Sequence, residues 1–318
     1  MQKAPIRGGK DNKMKSLGMA QRLEARAFVA ALMVCSGSAL ASAAPEMTSP
    51  TWLALGQSIA QETEAAKPQP GGPADDSQDL AKKLANPIAS LISIPFQFNY
   101  DRGYGPRGDG WKAFVNVQPV IPITLSEEWN LISRTIIPIA HQEDLAPGLG
   151  SQCGLGDVVQ SLFFSPSKPG PGGLIWGAGP VLLFPTATDE LLGGEKWGAG
   201  PTAIVLKQSG PWTYGALANH IWSYAGDDDR EDVNATFLQP FAAYTTPDAW
   251  TFSLNAESTY DWDENEWAIP INLFVSKLIK IGKLPVQIGA GVRYWAASTP
   301  QGPEGWGVRV QMTFLLPK

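Results

Sequence analysis

Residues 306–316 read Trp-Gly-Val-Arg-Val-Gln-Met-Thr-Phe-Leu-Leu. Trp306, Val308, Val310, Met312, Phe314 and Leu316 share one parity, and Gly307, Arg309, Gln311 and Thr313 share the other. Alternation with period two means a strand with one apolar face and one polar face. A soluble sandwich strand has the same pattern, so the two readings are separated by the far end of the chain. There Lys3, Arg7, Lys10, Lys13, Lys15, Arg22 and Arg26 precede an apolar run from Ala27 to Leu40. Ala41-Ser42-Ala43 then fits the small-x-small cleavage rule, so residues 1–43 read as a signal peptide. Lipidation at Cys35 is the weaker reading, because the bulky Val34 precedes it. An export signal together with a terminal amphipathic strand predicts an all-β fold: a transmembrane antiparallel barrel of the bacterial outer membrane, apolar face to lipid.

Composition agrees. Hydrophobic residues are 44% of the 318, and charged residues only 17%. A spanning helix needs roughly 20 consecutive apolar residues, whereas a barrel hides from hydropathy averages because every second residue is polar. Cleavage after Ala43 removes seven bases together with Asp11 and Glu24, taking the formal charge from −6 to −11. It also leaves Cys153 as the sole cysteine, so no intrachain disulfide is expected. So acidic a chain without a basic stripe is no nucleic-acid binder.

Residues 44–85 are a different polymer. Gln69-Pro-Gly-Gly-Pro73 and Asp75-Asp-Ser77 predict a flexible periplasmic arm, with short helices over Thr51–Ala65 and Leu80–Leu84. The barrel is expected over residues 86–318, where about twelve strands of roughly 9–11 residues can be counted. The first has Ile92, Ile94, Phe96, Phe98 and Tyr100 opposed to Ser93, Gln97, Asn99 and Asp101. Trp111–Ile121, Asn130–Ile139, Leu155–Phe164, Trp212–Tyr224, Ala235–Thr245, Trp250–Tyr260, Trp267–Val275 and Leu284–Tyr294 continue the series. Two more strands open on Trp176-Gly-Ala-Gly-Pro180 and Trp197-Gly-Ala-Gly-Pro201. The phase of Leu155–Phe164 is ambiguous.

With both termini periplasmic, the inner turns are tight: 208–211, 246–249 and 280–283. The outer loops, such as 141–154 and 186–196, are longer, as such barrels require. Trp129, Trp176, Trp212, Trp250 and Phe314 fall at inner strand ends; Tyr100, Trp111, Trp197, Tyr260, Trp267 and Trp306 fall at outer ones. Two girdles at the two interfaces are what amphipathic rings seek in a bilayer. Pro180, Pro201 and Pro240 lie inside strands, where bulges are expected.

Several blocks also resemble one family. They are residues 86–97, Asn130-Leu-Ile-Ser-Arg-Thr-Ile-Ile137, Gly154-Leu-Gly-Asp-Val158, Trp197-Gly-Ala-Gly-Pro-Thr202 and Phe314-Leu-Leu-Pro-Lys318. The chain from about residue 80 onward is similar to bacterial outer-membrane transporters related to the meta-pathway phenol-degradation proteins, a group often mislabelled neuromedin-U-like. The resemblance implies a transport barrel for hydrophobic or aromatic compounds. It carries over no catalytic or binding residue.

The polar parity supplies the candidate lumen lining: Gln97, Asn99, Lys112, Asn116, Arg134, Asn255, Glu257, Arg293, Arg309 and Gln311. These groups either set solute selectivity or pair with one another to fill the lumen. Gly177, Gly179, Gly198 and Gly200 share the inward parity of two neighbouring strands. They either let the wall bend or leave room for solute or for the arm. The acidic stretches 227–232 and 261–266 read as solvated loops, or as divalent bridges to lipopolysaccharide, rather than as dedicated calcium loops. The histidines beyond the signal are His141 and His220, and Ser223 has the opposite parity to His220, so no nucleophile–base pair is evident. No phosphate loop, dinucleotide fingerprint or zinc spacing is present. The expectation is a non-enzymatic channel for small solutes without a cofactor, or else a non-conducting interaction barrel with a filled lumen. The sequence does not set its oligomeric state.

Overall fold

The computed structural model describes residues 73–316, apart from residue 147. The expected signal peptide, the Thr51–Ala65 helix and the first part of the arm lie outside those residues. The described chain opens with helix α1, Pro73–Leu84. The first strands are β1 (Ile92–Tyr104), β2 (Gly110–Val117, then Val120–Thr124), β3 (Trp129–Glu143) and β4 (Ser151–Leu155, then Val158–Pro166). Next come β5 (Leu174–Phe184), β6 (Lys196–Ser209), β7 (Trp212–Gly226) and β8 (Asn234–Thr245). The last are β9 (Trp250–Ala256, then Ser258–Asp261), β10 (Glu266–Ile281), β11 (Leu284–Ala297) and β12 (Gly305–Leu316).

Neighbouring strands pair antiparallel all round, and β12 pairs back onto β1 from Ile92↔Leu316 to Tyr100↔Val308. The result is a closed twelve-stranded barrel. Closure leaves no row of unpaired backbone groups, which hydrocarbon would not tolerate.

The usual arrangement of a globular protein is inverted. Arg309 is 4% exposed and Thr313 is 2%, while Val310 between them is 47% exposed. The same parity runs round the wall: Asn99, Asn272, Thr251 and Arg293 are buried, and Val308, Leu254, Leu273 and Val292 are exposed. Apolar side chains that water would expel are stable on that face only against lipid. Rings band both ends of the wall. At one end Trp129 meets Trp176 at 5.9 Å, and Trp212 meets Tyr244 at 5.0 Å between centroids. At the other, Tyr260 packs on Trp267 at 4.8 Å and Tyr294 on Trp306 at 4.9 Å.

The tight turns 125–128, 210–211, 246–249 and 282–283 share the end at which β1 begins and β12 ends. The long loops 185–195, 227–233 and 298–304 share the other end. The connection 167–173 is long for the tight end, and 262–265 is short for the loop end.

The expected bulges at the prolines need correction. Pro180 faces Pro201 across β5 and β6. The β4–β5 ladder skips from Ser161↔Val181 to Phe164↔Ala178, and the β6–β7 ladder from Ala199↔Trp222 to Thr202↔Asn219. In neither place does the register shift. Proline removes a donor and so a bridge, but it adds no residue. Pro240 keeps its place opposite Ala216. The register shifts lie instead between Arg102 and Tyr104, between Trp197 and Gly198, and between Ile269 and Pro270.

Candidate solute site in the barrel lumen

The site begins with the segment before β1. Helix α1 carries Leu80, Ala81 and Leu84 on one face; Ala81 is fully buried and packs with Ala249, Leu278 and Leu315 at the tight-turn end. Hydrogen bonds fix it there. Gln208 Nε2 donates to the Lys82 carbonyl at 2.8 Å, and Gln78 Nε2 to the Thr245 carbonyl at 3.4 Å. The chain then turns inward. Ile88 enters a buried cluster of Val120, Ile132, Phe163, Ile204, Leu206 and Leu217. Residues 73–91 therefore sit in this mouth of the barrel as a plug.

The glycine patch divides its labour. A Cβ on Gly177 would stand 3.2 Å from Phe163 Cβ and 3.3 Å from Ile88 Cδ1, so this glycine makes room for both the wall and the plug. Cβ atoms on Gly179 and Gly200 would strike the carbonyls of Leu162 and His220 on neighbouring strands. Those two serve the close approach of the wall to itself.

Above the plug, the charged side chains meet. Arg309 Nη1 and Nη2 donate to the two Glu257 carboxylate oxygens, each at 2.8 Å, and Arg309 Nε donates to Asn99 Oδ1 at 2.7 Å. Arg293 reaches Asp101 at 3.1 Å and Glu257 at 3.4 Å. Trp295 Nε1 donates to the other Asp101 oxygen at 3.1 Å, and its ring lies 4.9 Å beneath the Arg293 guanidinium. The two carboxylates thus hold two arginines from adjacent strands in one fixed arrangement, the forked geometry that makes arginine pairs strong. Glu257 lies in the interruption of β9, so its side chain leaves the wall at a break in the ladder. Gly307 makes room beside Asp101, since a Cβ there would strike the Asp101 carboxylate.

An amide chain continues along the wall. Arg134 Nη2 donates to Gln118 Oε1 at 3.0 Å, Gln118 Nε2 to Gln97 Oε1 at 3.3 Å, and Gln97 Nε2 to Gln311 Oε1 at 3.2 Å. Asn272 Nδ2 donates to Asn255 Oδ1 at 2.8 Å. Lys112 and Asn116 stand directly across the ladder from Asp101 and Gln97, and partners so placed share a face. All ten candidate lining residues therefore lie on the inner face, but they are not alike. Asn99, Glu257, Arg293 and Arg309 form the ionic cluster. Gln97, Arg134, Asn255, Arg309 and Gln311 line a cavity of about 220 Å³ between that cluster and plug residues 83–91. Three further residues contribute: Asp101 and Gln118 carry the polar parity in the sequence, whereas Phe274 has no such signal. Its inward ring is accommodated by Gly289, where a Cβ would lie 2.6 Å from the ring.

At the loop end, the connections are tied to the strands. Asp157, in the interruption of β4, accepts from the backbone N–H of Ala187 at 3.1 Å and of Gly194 at 2.7 Å, tucking loop 185–195 against β4. Gln142 Nε2 donates to the Leu191 carbonyl at 3.0 Å. Lys196 pairs with Asp232 at 3.0 Å. The Lys196 and Ser223 hydrogen bonds hold the Asp232 carboxyl below its ordinary range. His220 packs on Trp222 with ring centroids 3.9 Å apart and shares a 2.7 Å hydrogen bond with Thr236, while Ser223 bonds Asp232. Among the described residues no three carboxylates, histidines or cysteines converge as a metal site.

The architecture has counterparts among solved structures. The COG4313 outer membrane channel from Pseudomonas putida F1 superposes with a TM-score of 0.59 at 15% identity, covering 72% of this chain and 97% of that one. The fold is an outer-membrane β-barrel. More distant in shape are the NanC porin (TM-score 0.45, 8% identity, 71% and 100% covered) and outer membrane phospholipase A from Escherichia coli (0.44, 12%, 76% and 98%). No family model and no curated protein matches this chain.

Proposed function

We propose that this chain is a gated outer-membrane channel for small solutes, with both termini in the periplasm. The observation that supports it most is the lined cavity beside the ionic cluster. A wall that only had to close on itself would need neither a recess of this size nor charged groups held facing it. In this reading the plug of residues 73–91 is the gate, and its withdrawal joins the cavity to the periplasm. The resemblance to transporters of hydrophobic and aromatic compounds suggests the solute class. Long acidic loops on the outer side would meet lipopolysaccharide through divalent cations.

A second reading has its own support. The plug and the paired charges together fill much of the lumen, as a non-conducting interaction barrel requires. Planar-bilayer recording separates the two. Ala81→Asp with Ile88→Asp places charge in both apolar contacts of the plug and should expel it. The channel reading expects wild type to be largely closed and the folded variant, checked by heat-modifiable migration, to conduct. A folded variant that stays silent over a wide voltage range would overturn the channel. Orientation is tested apart from this: a protease site inserted at Asp228 should be cut on intact cells and one at Pro247 should not, and the reverse result overturns it.

A further inference from the structure

The lumen cations are not equivalent. Arg309 is held by both oxygens of Glu257, and Arg293 by Asp101 and Glu257. Arg134 lines the same cavity, yet its hydrogen bond goes to the neutral amide of Gln118, and it makes no ion pair among the described residues. A guanidinium carries five N–H donors in a rigid fork that matches a carboxylate. Beside it lie amide groups of Gln97 and Gln118, and the aromatic rings of Phe241 and Phe274 line the same space. The volume of about 220 Å³ exceeds the roughly 150 Å³ that suffices to enclose benzene. It holds one ring-sized apolar body with a small polar group.

Taking the channel reading as its basis, we propose that this cavity is a binding subsite for a small amphipathic carboxylate. Arg134 receives the anionic head, and the aromatic wall receives the apolar body. The ionic cluster does not compete for that role, because its arginines are already neutralised by carboxylates of this chain. An organic cation would meet the Arg134 charge without a carboxylate free to receive it. A neutral ring would leave the unused donors of Arg134 without an anion.

The test uses the full folded chain in detergent and two isosteric probes, benzoate and benzamide, titrated calorimetrically. Wild type and the plug-released Ala81→Asp/Ile88→Asp variant are both measured, so that a closed plug cannot conceal the site. Benzoate is expected to bind at least tenfold more tightly than benzamide. Arg134→Gln, which removes the charge but keeps an amide donor, should lose at least tenfold for benzoate and leave benzamide unchanged. Arg134→Lys, keeping the charge but not the fork, should fall between, and it decides the matter if the glutamine variant does not fold. Equal affinity for both probes, unchanged benzoate binding by either Arg134 variant, or no benzoate binding by both folded proteins would each overturn the subsite. Benzoate binding by a plug-released barrel that never conducts upholds the subsite and removes the channel. Conductance without benzoate discrimination does the reverse.

Discussion

The two sides of the lumen are built on different principles. From β9 through β12 to β3 the inner face carries Glu257, Arg293, Arg309, Asp101, Asn99, Gln97 and Arg134, joined by hydrogen bonds that cross from strand to strand. From β4 to β8 the inner face carries Phe163, Val181, Ile204, Leu206, Leu217 and Phe237, with Ile88 of the plug packed among several of them. Hydroxyls on that side bond within the wall, as Ser165 Oγ to the Trp176 carbonyl at 2.7 Å and Thr202 Oγ1 to the Ala218 carbonyl at 3.3 Å. The cavity follows the division: its lining comes from the plug, β1–β3 and β8–β12, and none of it from β4–β7. One side is filled by packing and anchors the plug. The other holds its charges by pairing, with the cavity beside them.

Stability should therefore be concentrated on one side and dispersed on the other. Glu257→Ala leaves two buried guanidiniums without their shared partner, and removing one member of a buried ionic group costs about 3–5 kcal/mol. Urea titration of the folded barrel should show this as the largest single loss. Replacing Asp101, Glu257 and both arginines together by apolar residues should restore much of it, because no buried charge is then left unpaired, and a quadruple variant worse than Glu257→Ala would break the comparison. Next comes the lipid face: Val310→Arg should cost about 2–4 kcal/mol, the penalty for such a charge near the bilayer midplane. Gln311→Arg, its neighbour on the inner face, should cost far less; equal losses would mean that the parity is wrong.

The packed side should respond in small steps. Ile204→Val removes one methylene from the plug-anchoring cluster and should cost about 0.5–1.5 kcal/mol. The smallest effect lies outside the membrane. Asp232 has a lowered carboxyl pKa, so its clasp on Lys196 adds stability above the ordinary carboxylate range and loses it as pH falls through the depressed value. Because Asp232 is exposed, the loss on acidification should be seen as looser loops, by faster limited proteolysis at 227–233, and not as unfolding. Asp232→Asn should remove that pH dependence.

The same division explains what the sequence could reveal. Alternation marks Arg309 and Gln311 against Val308 and Val310 at once, because the two faces differ in chemistry. In β4 inward Phe163 adjoins outward Phe164 and Leu162, so period two survives in the structure but leaves no trace in composition. The phase of Leu155–Phe164 is therefore ambiguous in the sequence, and the apolar side of the lumen carries no alternation to mark it. Pairing was equally hidden: polar parity brings Glu257 and Arg309 to one face but not to 2.8 Å, which depends on the interruption of β9. The plug was half legible. Gly71-Gly-Pro73 reads as a breaker, yet proline suits a helix start and Asp75 and Asp76 suit its first turn, so the helix runs from Pro73 and not from Leu80.

The claim on which the rest depends is that the aqueous route follows the ionic side alone. Thiol labelling tests it in a plug-released Cys153→Ser background, with single cysteines in place of Gln97 on one side and Ile204 on the other. A small, charged, membrane-impermeant reagent added to the reconstituted barrel should modify the cysteine at 97 at least tenfold faster than the one at 204. Equal rates at the two positions would mean a lumen wet all round, and would contradict the division drawn here.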